Sequence, residues 1–61
     1  MNYAMVDENN MVFNIAVWDG VSEWTPGCRL FLIRENDLAQ IGYVVVEQDG
    51  DYYFENPESE D

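Results

Sequence analysis

The chain has 61 residues, 48% of them hydrophobic and 15% aromatic, and sets 13 acidic residues against two arginines, Arg29 and Arg34, for a formal net charge of −11. Charge of that sign excludes direct nucleic-acid binding and disfavours anionic membranes, because gripping phosphates requires cationic side chains that displace counterions. With one cysteine, Cys28, and no histidine, an intrachain disulfide is excluded and the usual zinc ligand set cannot be assembled.

A chain this short hides only about 60% of the surface its unfolded form exposes, so a single domain of marginal stability is expected, supported by efficient packing or by docking onto something else. No apolar run approaches the roughly 20 residues that span a bilayer. The N-terminal "MNYAMVDENN" lacks the basic and apolar regions of a signal peptide, which points to synthesis and first residence in a cytoplasm.

Short runs of Val, Ile, Tyr, Phe and Trp, punctuated by Asp, Asn, Gly and Pro, predict an all-β domain of about five strands. The first two, Tyr3 to Val6 and Met11 to Trp18, flank "DENN", whose residues tolerate the left-handed backbone of a hairpin loop. Strict alternation in the second strand places Met11, Phe13, Ile15 and Val17 on the core side, and the mixed set Val12, Asn14, Ala16 and Trp18 on the other.

Asp19-Gly20 then predicts a turn, Ser22 to Trp24 a short extended bridge, and Pro26-Gly27 a second break. The apolar run Cys28 to Ile33 fits a strand buried on both faces, with a helix as the alternative that periodicity alone leaves open. Arg34 to Gln40 reads either as one helical turn, N-capped by Asn36 or Asp37, or as a polar loop. Ile41 to Glu47 and Asp51 to Glu55 form a second hairpin across "QDG", an Asp-Gly hairpin signal. The expected architecture is a small twisted antiparallel sheet or partly open barrel over residues 1–55, β-rich with at most that one helical turn, followed by a flexible acidic tail, 56–61.

No catalytic constellation emerges. Nucleophilic work would fall to Cys28, Ser22, Thr25 or Ser59 without a histidine or lysine to activate them, and a carboxylate pair such as Asp19 with Glu23 would need a cleft that so small a sheet hardly encloses. Asp49 to Asp51 does not match a calcium loop. Neither catalytic residues, nor metal, nor cofactor are expected. Aromatic side chains carry the functional expectation instead: Trp18, Trp24, Tyr43, Tyr52 and Tyr53 are candidate partner-binding residues, since Trp and Tyr are typical interface anchors. Core packing is the competing role for the tryptophans. Because neighbouring residues point to opposite faces, Tyr52 and Phe54 cannot share a side with Tyr53.

The pattern Tyr-Ala-x-Val-Asp (Tyr3 to Asp7), Trp-Asp-Gly (Trp18 to Gly20), Ser-Glu-Trp (Ser22 to Trp24) and Pro-Gly-Cys (Pro26 to Cys28) resembles the opening of small proteins and domains encoded by tailed bacteriophages, commonly near tail and tail-fibre genes. The likeness covers somewhat less than half the chain and is loose from Arg29 onward. It implies a phage protein made in the host cytoplasm, with the virion as its further location. Together these readings give a non-enzymatic structural protein that docks on a virion component of tail or tail fibre, or on a second copy of itself, through aromatic side chains and strand edges. The alternative is an acidic mimic of nucleic acid that inhibits a host DNA- or RNA-binding protein.

Overall fold

The computed structural model describes residues 1–58, so the expected acidic tail lies outside the described residues from Ser59 onward. Five strands form two antiparallel sheets, with no helix among the described residues. β1 (Asn2–Val6) is central in a three-stranded sheet between β2 (Val12–Val17) and β3 (Arg29–Leu32), while β4 (Val44–Gln48) and β5 (Asp51–Glu55) pair as a separate hairpin. The all-β class and strand number agree with the sequence reading, and the two sheets do not close into a barrel.

Turn chemistry explains both hairpins. Asp49 and Gly50 have φ of 56° and 80°, the left-handed pair of a type I′ turn whose twist suits the flanking strands. Gln48 already pairs with Asp51, so the loop is only these two residues. In the first hairpin the Asp7 carbonyl accepts the Asn10 N–H, and the Asp7 N–H donates to the Met11 carbonyl, both at 3.0 Å. Asn10, at φ 65°, supplies the left-handed residue that closes a three-residue loop.

One inserted residue decides which side of β2 is inside. Val6 pairs with Val12 but Met5 pairs with Asn14, leaving Phe13 unopposed as a β-bulge. Alternation reverses there. Val12 becomes core at 1% exposure, whereas Phe13 is 46% and Val17 81% exposed, and Met11 is exposed too. Of the four residues expected inside, only Ile15 packs against the core. Val17 shares its face but sits at the strand's end, opposite the exposed Asn2.

The buried core is Ala4, Val6, Val12 and Val45, against which Ile15, Phe31, Ile33, Tyr43, Tyr52 and Phe54 pack. The β4–β5 hairpin packs Val45, Tyr52 and Phe54 onto this face. It begins beside β2, where the Val12 N–H donates to the Tyr43 carbonyl (2.7 Å) and the Val45 N–H to the Asn10 carbonyl (2.8 Å). It reaches the far end of β3, where the Tyr52 hydroxyl donates to the Leu32 carbonyl (2.7 Å).

Both cations brace hairpins from the ends of β3. Arg29 donates to the Asp7 carbonyl at 2.8 Å and to the Asn10 side chain. Arg34 donates to the carboxylates of Asp37 and Asp51, each at 2.9 Å, and to the Tyr52 carbonyl, with its guanidinium 4.1 Å from the centre of the Tyr52 ring.

The same contacts decide for the polar-loop alternative after β3 and correct two expectations. Residues 34–40 contain no helical turn. The Asp37 N–H donates to the Arg34 carbonyl (2.9 Å), and its carboxylate turns back to the Arg34 N–H and side chain, closing a tight turn. β3 is an edge strand without a fully buried residue rather than a strand covered on both faces. Ser22 to Trp24 forms no strand, because the Asp19 carboxylate holds the Val21 and Ser22 N–H groups in a bend.

Candidate interaction surface

The five aromatic candidates fall in three different environments. Trp18 and Trp24 meet edge to face with ring centres 5.3 Å apart, and Trp18 lies 5.3 Å from the Tyr3 ring. Tyr3 neighbours Ala4 in β1, so it points away from the core, and this trio stands on the opposite face of the three-stranded sheet. The turn between the tryptophans permits the contact. The Trp18 indole N–H donates to the Ser22 carbonyl (3.1 Å), and Gly20 adopts φ +80° where a Cβ would lie 3.0 Å from the Tyr3 hydroxyl oxygen. Both tryptophans are half-buried.

Tyr43 and Tyr52 lie between the sheets, packed against the core. Tyr52 also meets Phe31 and Phe54 edge to face at 4.9 and 5.9 Å. Burial pushes the Tyr52 phenol above its ordinary pKa, and the ring acts as a spacer between hairpin and sheet. Tyr53 points outward and is 44% exposed. The split of Tyr52 and Phe54 from Tyr53 follows the alternation read from sequence.

On its outer side Tyr53 has company. It pairs with Val46, Val44 pairs with Glu55, and Met11 forms an isolated bridge to Val44. Cross-strand partners share a face, and residues two apart in a strand do as well. Met11, Val44, Val46 and Tyr53 therefore make one apolar stripe on the solvent side of the hairpin, bordered by Glu55 and Asp51. Antiparallel sheets packed on one side ordinarily turn polar residues to water. Met11, Val44 and Val46 were not among the sequence candidates, although the run "YVVVE" carries the signal: three successive valines cannot all face one core.

Strand edges are partly closed by side chains. The outward Ile15 N–H is taken by the Asn14 side chain (2.9 Å) and the Tyr52 N–H by the Asp51 carboxylate (2.7 Å). The Tyr52 and Leu32 carbonyls accept from Arg34 and Tyr52. Such blocking blunts pairing with a foreign strand, which leaves side-chain surface as the larger resource for contact.

Asp19, one half of the carboxylate pair considered above, accepts the Ser22 hydroxyl at 2.6 Å and the Val21 and Ser22 N–H groups. The Ser22 hydroxyl, with those N–H groups, lowers its pKa to about 2, so it has no proton to donate near neutrality. Among the described residues no three His, Cys, Asp or Glu side chains converge as a metal site, and no helix is long and apolar enough to cross a membrane. Comparison with protein-family models, curated proteins and solved structures returns no significant match.

Proposed function

We propose that this domain is a docking module whose outer hairpin face, anchored by Tyr53, seats on a protein partner without performing chemistry of its own. The observation that carries the reading is the apolar stripe of Met11, Val44, Val46 and Tyr53 on the solvent side of a sheet whose inner side already holds the core. A core of four small residues supports it, because a domain that buries so little gains stability by covering more apolar surface on binding. Trp18 and Trp24 close the opposite face of the larger sheet and form a second, smaller contact surface.

The setting we propose is the tail or tail fibre of a bacteriophage particle, on the likeness of Tyr3 to Cys28 to phage-encoded domains. The test is the location of the protein after infection. Recovery with purified particles, and loss from them on Tyr53→Ser while the variant stays folded, is the expected result; a protein confined to the lysate, or particle association indifferent to Tyr53, refutes it.

A further inference from the structure

We infer that the partner of the outer hairpin face is cationic: a protein surface with an apolar centre ringed by Lys or Arg, and not a second copy of this chain. The inference rests on the docking role proposed above and adds the chemistry of the occupant. The apolar stripe carries Glu55 and Asp51 at its border, and Asp49 stands at the hairpin tip. Arg34, which meets Asp51, is committed to Asp37 and Tyr52 as well, and Arg29 is held at the other hairpin by Asp7 and Asn10. With no other Lys or Arg in the chain, no Lys or Arg side chain supplies a counter-charge to Glu55 among the described residues.

Charge also argues against self-docking. A twofold pairing through the stripe brings the acidic border of one molecule against the acidic border of its mate and joins two molecules of net charge −11. Like charges brought together across an interface select against that partner, whereas a basic rim is drawn in and held in register. Carboxylates around an apolar patch therefore act as a filter: they leave the patch open in the free protein and admit a positively charged visitor.

The probes are two synthetic strands, acetyl-KKVTFTVKK-amide, whose terminal lysines flank the Val and Phe side chains on one face, and its analogue with every Lys replaced by Gln, titrated into isotope-labelled full-length protein at low salt while backbone amide resonances are followed. The expected result is that the Lys peptide shifts Val44, Val46, Tyr53 and Glu55 most, binds about tenfold more tightly than the Gln peptide, and loses that advantage as salt shortens the Debye length from about 10 Å at 0.1 M to about 3 Å at 1 M. Tyr53→Ser, on the solvent side, abolishes the localised shifts, and Glu55→Gln weakens the Lys peptide alone. Equal binding of both peptides at the stripe overturns the cationic partner while leaving the docking role standing. Shifts spread over all acidic turns, or absent, overturn both. Sedimentation of the free protein gives the remaining arm: a monomer at low salt is expected, and a low-salt dimer broken by Tyr53→Ser makes the occupant a second copy and refutes the inference.

Discussion

Truncating Val12 tests the bulge directly, because Val17→Ala is the same chemical change in the same strand at an exposed position near the strand's end. Val12 is 1% exposed and Val17 81%. Losing two buried carbons at about 0.8 kcal/mol each, with an added cavity term, costs about 2 kcal/mol at Val12. At Val17 only strand propensity changes, for about 0.5 kcal/mol or less. In a domain of this size about 2 kcal/mol lowers the melting temperature by roughly 8–16 °C. Urea and thermal unfolding followed by the fluorescence of Trp18 and Trp24 measure both variants. Phe13→Ala, at a half-exposed ring that leaves no sealed cavity, falls between them at about 1 kcal/mol. Simple alternation puts Phe13 and Val17 inside and Val12 out, so a Val12→Ala cost below that of either of the other two refutes the bulged register.

Further expectations bear on the turns and the arginine clamp. Gly50→Ala, which places a side chain at φ +80°, costs about 1 kcal/mol in urea unfolding. Gly20→Ala also disturbs the Trp18 fluorescence, because its Cβ would press on the Tyr3 hydroxyl. Tyr52→Phe removes the bond to the Leu32 carbonyl and costs about 1 kcal/mol by the same assay. Arg34 holds the carboxyls of Asp37 and Asp51 below their ordinary pKa values. The stability they contribute is therefore present in full above the unfolded carboxylate range near pH 4 and lost as pH falls through the lower folded values. Acid unfolding monitored by circular dichroism shows this loss, and Arg34→Met shifts it to higher pH. Ser22→Ala raises the Asp19 pKa from about 2 toward the ordinary carboxylate value, read by carbon NMR of its carboxyl group.

What could be read from sequence was set by local chemistry. Asp49-Gly50 and the Asp7-to-Asn10 loop announce themselves because few residues accept a positive φ, and five strands follow once those turns are placed. Tyr53 was assigned to the side opposite Tyr52 and Phe54 by alternation alone. That rule failed in β2, since Phe13 adds one residue to a ladder whose partner, β1, is needed to notice it. The segment after β3 stays open between helical turn and polar loop for a related reason. Asp37 is chemically suited to an N-cap, but Arg34, itself anchored on the hairpin by Asp51, draws its carboxylate backward. Of the candidate surface, Tyr53 was legible and Met11 was not, because it joins the stripe only through its bridge to Val44 across the chain.

Placing one arginine at the start of β3 and the other two residues past its end has an analytical consequence. Trypsin has only two bonds to cut, after Arg29 and after Arg34, and each guanidinium is tied to a hairpin in the native state. Release of the pentapeptide Leu30 to Arg34 requires both ties to open, so its rate of appearance turns digestion into a gauge of how often β3 detaches. The protein carries its own opening sensor.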